Sequence, residues 1–212
     1  MKDPVTPLPR RRPADLVRSF ALADFITLGN AASGTAAMFL CLDYIALGDS
    51  RRLWAAMALM PVAFICDAAD GMVARWRHRS SPYGADLDSL ADIVSFGVAP
   101  AVIGYTVGLR GAWDIAILLY FVCCGIGRLA RFNVTAADLM TESGKVAYFE
   151  GTPIPISLVL VGILAVAFSR GEIGASLWGG STVLLGGTLH VMAVLYLLTG
   201  SLMISTIRIP KP

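Results

Sequence analysis

Between Leu53 and Arg75 the chain reads LWAAMALMPVAFICDAADGMVAR. As far as Cys66 this run is apolar and carries no charged residue. Continued as a helix, it is long enough to cross roughly 30 Å of hydrocarbon, which needs about 20 residues. Its last turns contain Asp67 and Asp70. The segment therefore predicts a membrane-spanning helix with carboxylates near one end.

The composition extends this interpretation to the whole chain. Of 212 residues, 56% are hydrophobic and 15% are charged, and the mean hydropathy is +0.69. In a soluble domain about a quarter of the residues are charged. The net charge of +2 is too small to indicate a nucleic-acid partner, because the basic residues lie where membrane-flanking Lys and Arg are expected. We expect one helical membrane domain.

Apolar runs recur along the chain and predict an all-α integral membrane protein with a six-transmembrane-helix bundle. The predicted spans are Ala23–Leu47, Leu53–Arg75, Gly84–Tyr105, Trp113–Phe132, Pro155–Phe168 and Thr182–Thr206. Residues 1–22 are predicted to be a tail and juxtamembrane segment, and 23–212 the membrane domain. Within the tail, residues 14–22 have the pattern of a short amphipathic helix at the membrane surface, although a helical lead-in to the first span fits equally well.

The distribution of basic residues predicts the orientation. Most of them fall on one side of a six-span arrangement: Arg10, Arg11, Arg12, Arg18, Arg75, Arg77, Arg79, Arg128, Arg131, Lys145, Arg208 and Lys211. The other side has mainly Arg51, Arg52, Arg110 and Arg170. The positive-inside rule then places both termini and the loop between residues 76 and 83 in the cytoplasm, and the protein in the cell membrane.

Two helical stripes flank that loop. Carboxylates in or near a span are expensive to desolvate and usually mark a pathway or a site. Asp67 and Asp70 are three residues apart, and Gly71 and Ala74 follow at helical spacing, so two carboxylates and two small residues share one face. A ligand can approach such a face closely.

The second stripe comes after the loop, where Gly84, Asp88 and Asp92 recur every four residues. The two stripes can face each other. Asp86 projects away from this stripe, and we assign it to a solvated or helix-starting position. Four carboxylates in one space repel strongly, and bound Mg²⁺ or Mn²⁺ would relieve the repulsion.

Another interpretation is that these are helix-end carboxylates paired with Arg75, Arg77 or Arg79. It suits isolated residues better than an ordered set. A cation transporter that uses the aspartates as its ion site is also open, although no inverted repeat is evident. A structural membrane scaffold explains the pattern least well.

The motif can be written Asp67-Ala-Ala-Asp70-Gly71-Met-Val-Ala74-Arg75, eight residues, Gly84, three residues, Asp88, three residues, Asp92. It resembles the signature of the CDP-alcohol phosphatidyltransferase family, with every fixed position filled. The resemblance implies six transmembrane helices, usually a homodimer, and a cytoplasm-facing polar cavity that holds two divalent cations, Mg²⁺ or Mn²⁺.

The resemblance also implies roles for the residues of the motif. Asp67, Asp70 and Asp88 would ligate metal, and Asp92 would act as general base while touching one ion. The CDP group would be bound by Asp67, Gly71, Ala74, Arg75 and Gly84, together with Thr27 and Asn30 of the first span.

Three further segments are similar to the phosphatidylserine synthase subgroup. They are Ser95-Phe-Gly-Val-Ala-Pro100, Gly127-Arg-Leu-Ala-Arg-Phe-Asn133 and Phe149-Glu-Gly-Thr-Pro-Ile-Pro155. This similarity implies transfer of a phosphatidyl group from CDP-diacylglycerol to the hydroxyl of L-serine, which yields phosphatidylserine and CMP. Arg128, Arg131 and Asn133 would bind the acceptor or the lipid phosphate. Glycerol 3-phosphate, an inositol phosphate or another alcohol remains an alternative acceptor.

Overall fold

The computed structural model describes residues 21–77, 83–142, 148–206 and 208–210. Within these ranges the chain is mainly helical. The α-helices are α1 (Leu22–Leu47), α2 (Ser50–Arg77), α3 (Gly84–Asp92), α4 (Ala99–Val107), α5 (Ala112–Glu142), α6 (Ser157–Ser169) and α7 (Val191–Ile204). The strands are β1 (Tyr148–Glu150), β2 (Ser181–Leu184), β3 (Gly187–His190) and β4 (Arg208–Pro210). The predicted amphipathic helix and most of the tail lie outside the described residues.

The first two helices form a tight hairpin. Asp24 accepts a hydrogen bond from the Ala21 amide (2.7 Å) and so caps the start of α1. At the other end Gly48 adopts a left-handed conformation (φ 69°), and its amide bonds back to Tyr44. Only Gly48 and Asp49 separate α1 from α2, so the two helices pack side by side.

The third apolar helix runs from Gly84 to Val107 and is the most buried of the long helices. It consists of α3, a π-helical turn at Ile93–Val98, and α4. Pro100 lies in the first turn of α4 and has no amide hydrogen for the helical ladder. The wider π turn precedes this gap, as is common near functional sites.

The remaining helices surround this central one. α5 extends to Glu142, so the helix continues for further turns beyond Phe132, the predicted end of the fourth span. β1 pairs antiparallel with β4. α7 packs on α5 and α4, where Tyr196 is buried against Phe121 and donates a hydrogen bond to the Pro100 carbonyl (2.8 Å).

The predicted sixth span, Thr182–Thr206, is wrong over its first nine residues. Residues 181–190 form the β2–β3 hairpin, and helix α7 begins only at Val191. Leu185 (φ 48°) and Gly186 (φ 81°) make its two-residue turn, and two consecutive positive φ angles are the requirement of a type I′ hairpin. The apolar run is thus divided between two kinds of structure.

Buried hydrogen bonds to Asp114 anchor this hairpin to the start of α5. Asp114 is fully buried and accepts hydrogen bonds from the Gly111 amide (2.8 Å) and the His190 amide (2.8 Å). His190 Nδ1 lies 2.6 Å from the same carboxylate. Trp113 adds a bond from Nε1 to the Leu184 carbonyl (2.7 Å).

In the described part of the chain, four helices are long and apolar enough to cross a membrane by length and composition: Leu22–Leu47, Ser50–Val73, Gly84–Val107 and Ala112–Thr135. Two shorter apolar helical segments, Ile154–Ser169 and Val191–Ile204, accompany them. The chain is therefore a multi-pass helical membrane protein.

Candidate active site

Three carboxylates converge where α2 and α3 approach each other. Asp67 and Asp70 of α2 and Asp88 of α3 each offer one oxygen, and these oxygens lie within 4.8 Å of one another. Asp70 is buried, whereas the other two are half-buried. The prediction that the two stripes face each other is confirmed. Asp86 is exposed, in agreement with its predicted solvated position.

Asp92 ends α3 one helical turn beyond Asp88 and is 8% exposed. Its carboxyl lies at hydrogen-bonding range of Asp67 and interacts electrostatically with Asp88. The Asn30 side chain of α1 donates to it from Nδ2 (3.3 Å). All four aspartates of the motif therefore belong to one cluster.

The donor set suits divalent cations. Carboxylates this close repel one another, particularly where burial removes water. Among the described side chains, no arginine forms a salt bridge with Asp67, Asp70 or Asp88. The alternative pairing with Arg77 or Arg79 lies outside the described side chains. Oxygen ligands of this kind are those that Mg²⁺ and Mn²⁺ prefer.

Helix α1 supports the aspartate cluster from a third side. Thr27 donates a hydrogen bond from Oγ1 to Oδ2 of Asp70 (2.5 Å), and both side chains are buried. Such a bond leaves the ligand fewer orientations and holds one oxygen in a set direction. The first span thus contributes directly to the geometry of the carboxylates.

A close contact between α1 and the central helix places Asn30 beside Asp92. The Ser95 hydroxyl, in the π turn, donates to the backbone carbonyl of Asn30 (2.9 Å). Gly34 lies one turn further along α1, and a Cβ there would be 2.5 Å from Ser95 Oγ and 2.7 Å from Ser95 Cα. Only glycine allows this approach, so Gly34 sets the spacing between α1 and the central helix.

Near the end of α2, Arg75 lies one turn beyond Gly71. Arg75 is exposed, and its guanidinium folds back so that a Cβ on Gly71 would be 3.4 Å from one of its nitrogens. Gly84 is half-buried at the start of α3. The Ala74 side chain and residues 78–82 of the loop lie outside the described part of the chain.

The CDP-alcohol phosphatidyltransferase family model matches residues 20–207. The chain belongs to this family. The match includes every part of the site described above and confirms the resemblance that the aspartate motif indicates. Membership of this family favours group transfer over ion transport. The family's motif also accounts for the glycine and arginine positions between the aspartates.

Several curated proteins are similar to this chain. A CDP-diacylglycerol–serine O-phosphatidyltransferase of Saccharomyces cerevisiae is 40% identical over 204 residues, which cover 93% of this chain and 73% of that protein. One of the same name from Helicobacter pylori is 34% identical, with coverages of 82% and 68%. An archaetidylserine synthase of Methanothermobacter thermautotrophicus is 36% identical, with coverages of 74% and 62%.

In this member of the family, the residues expected to bind the acceptor separate into two groups. Arg128 is half-buried, interacts electrostatically with Asp92, and has its guanidinium 5.8 Å from the Phe132 ring centre. Arg128 thus interacts with the aspartate cluster. Its position suits binding of an anionic group next to Asp92.

Arg131 and Asn133 make other contacts. Arg131 donates to the carbonyls of Ile204 (3.3 Å) and Ser205 (3.1 Å) at the end of α7, where positive charge complements the helix dipole. Asn133 donates to the Ser89 hydroxyl (3.0 Å) and so connects α5 to α3. Both residues hold the helices around the site.

The segment that contains Gly151 contacts the same end of α7. Gly151 has a positive φ of 74°, and an added Cβ would collide with the Met203 carbonyl. The Thr152 amide bonds to the Leu202 carbonyl (3.3 Å). This segment therefore packs against the end of α7, to which Arg131 of α5 also donates.

Sequence reasoning missed contacts of the site between residues that are distant in the chain. It did not anticipate the bond between Asn30 and Asp92, because no local pattern connects residues 62 positions apart. It also missed Ser89, although its position directly after Asp88 in the polar part of α3 was an available signal.

Proposed function

We propose that this chain transfers a phosphatidyl group from CDP-diacylglycerol to the hydroxyl of L-serine and releases CMP, as the names of its relatives describe for those proteins. One observation carries the proposal: three carboxylates with oxygens within 4.8 Å of one another lie beside a fourth, Asp92, in a helical membrane protein of this family. Such a cluster fits a reaction at a diphosphate.

In this proposal Asp67, Asp70 and Asp88 hold two divalent cations, with Asp92 touching one of them. Bound Mg²⁺ or Mn²⁺ would neutralise charge on the diphosphate oxygens and stabilise the leaving CMP. Thr27 keeps Asp70 oriented. Arg75 is exposed one turn beyond Gly71 and adds a guanidinium for the diphosphate. Gly71 and Gly84 leave room for the CDP group.

Asp92 is the general base of the proposed step. It accepts the proton of the serine hydroxyl as that oxygen attacks the phosphorus that carries the diacylglycerol. A bond forms between this oxygen and phosphorus, and the bond from phosphorus to the CMP phosphate oxygen breaks. Asp92 is 8% exposed, so little water competes with the acceptor. Arg128 binds the serine carboxylate from the side of α5.

The location of the site follows from the positive-inside bias. We infer six membrane-crossing segments, with the two shorter apolar segments completing the four long ones. The aspartate cluster and both termini then face the cytoplasm. On that side serine, which is water-soluble, can reach the site, and CMP can leave it. The exposed apolar faces of α1 and α2 face lipid or, in the expected homodimer, a second copy.

The decisive assay measures CMP released from CDP-diacylglycerol by the purified protein in detergent micelles. Serine, glycerol 3-phosphate, inositol phosphate and choline are supplied in separate reactions. Release with serine alone, abolished by EDTA and restored by Mg²⁺ or Mn²⁺, is the expected result. If CMP is released with a phosphate-bearing acceptor instead, that acceptor and not serine is the substrate. If CMP is released with none of the acceptors, the proposal of phosphatidyl transfer is overturned.

A further inference from the structure

One side-chain atom of Asn30 lacks a hydrogen-bond partner among the residues that the structure describes. The residue is fully buried in α1, and its Nδ2 donates to Asp92. Within the described ranges, its Oδ1 has no hydrogen-bond donor. A buried carbonyl oxygen left in this state costs about 1–3 kcal/mol. It is kept directly beside the proposed base, which indicates that a donor arrives with the substrate.

The position of this oxygen is firmly set. The backbone carbonyl of Asn30 is bound by the Ser95 hydroxyl, and the close approach at Gly34 prevents α1 from sliding along the central helix. Oδ1 and Nδ2 are bonded to the same carbon. A group that reaches Oδ1 therefore lies next to the carboxylate that Nδ2 holds.

The chemistry of the atom limits what it can bind. An amide oxygen accepts hydrogen bonds and carries no charge, so it suits a donor such as an ammonium group. Serine carries its hydroxyl and its ammonium on adjacent carbons, so the two groups can reach neighbouring acceptors. Glycerol 3-phosphate and inositol phosphate carry no ammonium group.

We propose that Asn30 is a specificity-determining residue: while Nδ2 positions Asp92, Oδ1 accepts a hydrogen bond from the ammonium group of the acceptor. The inference rests on the proposed serine transfer. It assigns Asn30 to the acceptor rather than to the CDP group, to which the family resemblance alone would assign it.

The test compares L-serine with 3-hydroxypropionate, which is serine without its amino group. The ratio of the two kcat/KM values is measured for the wild type and for Asn30→Leu, which is similar in size but cannot form hydrogen bonds. Loss of the hydrogen bond to Asp92 should lower kcat/KM by the same factor for both acceptors. Serine alone loses a further roughly 10- to 100-fold, and the KM for CDP-diacylglycerol stays unchanged. Because both values come from one preparation, the ratio does not depend on the folded fraction.

Ser33→Ala is the matched control, because this half-buried hydroxyl of α1 bonds only to its own helix at the Gly29 carbonyl (2.8 Å) among the described residues. Its ratio should equal that of the wild type. If Asn30→Leu gives no product with either acceptor, Asn30→Ser, which keeps a small hydroxyl, supplies the ratio.

An unchanged ratio overturns the inference, and so does complete loss of product with both acceptors in both variants. A raised KM for CDP-diacylglycerol, or a raised metal requirement with an unchanged ratio, would assign Asn30 to the nucleotide or to a cation instead. Failure of the wild type to use serine is a separate result, because it overturns the proposed function itself.

Discussion

Thr27 and Asp70 connect the first helix to the aspartate motif: the threonine hydroxyl donates to the carboxylate at 2.5 Å, and the two residues are only 4% and 6% exposed. They are 43 residues apart in sequence. This bond holds the Asp70 carboxylate in a set orientation. The first span thus contributes directly to the geometry of the aspartate cluster.

Thr27→Val keeps the shape of the side chain and removes this bond. We expect the concentration of Mg²⁺ or Mn²⁺ needed for half-maximal CMP release to rise roughly 10-fold, because partners of metal ligands contribute about 10–100-fold to affinity. Saturating metal should restore most of the activity. Thr35→Val is the control, since the Thr35 hydroxyl bonds within its own helix to Ala31 (2.8 Å), and it should not change the metal requirement.

Asp92→Asn tests the general base. Transfer to serine should fall by about 10²- to 10⁴-fold, because an amide cannot accept the proton. Binding of CDP-diacylglycerol, measured by retention of the labelled lipid, should largely survive. Asp86→Asn changes an exposed carboxylate in the same helix and should leave the rate near that of the wild type. Normal turnover of Asp92→Asn would remove Asp92 from this role.

Gly34→Ala tests the close contact between α1 and the π turn. An added Cβ at 2.7 Å from the Ser95 Cα meets backbone and forces the helices apart. We expect a loss of about 1–3 kcal/mol in stability, seen as a lower unfolding temperature in detergent, together with reduced kcat. Gly29→Ala is the matched substitution, because its Cβ would meet only Cys66 Sγ at 3.8 Å. If the two variants behave alike, the contact does not set the helix spacing.

Asp114→Ala tests the anchor of the β2–β3 hairpin. It leaves the amides of Gly111 and His190 without their acceptor in a buried position, so we expect destabilisation of about 3 kcal/mol. Asp43→Ala, which breaks only the partly exposed ion pair with Arg52, should cost at most about 1 kcal/mol. Thermal unfolding in detergent checks both values.

Activity of the folded fraction provides a second measurement for this variant. Asp114 lies 14 residues before Arg128 in the same helix, or about 20 Å along its axis. The KM for serine should therefore stay unchanged below the unfolding temperature. A changed KM would show that the hairpin communicates with the site.

The sequence predicts much of this site because its signals are local. Helical spacing places Asp67 and Asp70 on one face and Asp88 and Asp92 on another, and the short connection between the helices lets the faces meet. The exposure of Asp86 follows from the same periodicity. Mutual repulsion of the carboxylates then predicts bound cations without any knowledge of the fold.

The first half of the last apolar run shows where local signals fail. Of residues 182–190, four are aliphatic and three are β-branched, a composition that suits a buried helix or a strand. The side chain of Asp114, far away in sequence, accepts the amide at the end of the hairpin and closes it. A hydropathy profile contains no information about a hydrogen-bond acceptor that is distant in sequence.

By itself the sequence determined the membrane-spanning character of the long helices, the facing carboxylates and the family, because each depends on composition or on spacing within one or two helices. Only the tertiary structure decided that Asn30 contacts Asp92 while Arg131 caps α7. A hydrogen bond requires a particular distance and direction between two atoms. When its partners lie on different helices, packing sets that distance, as Gly34 does for α1.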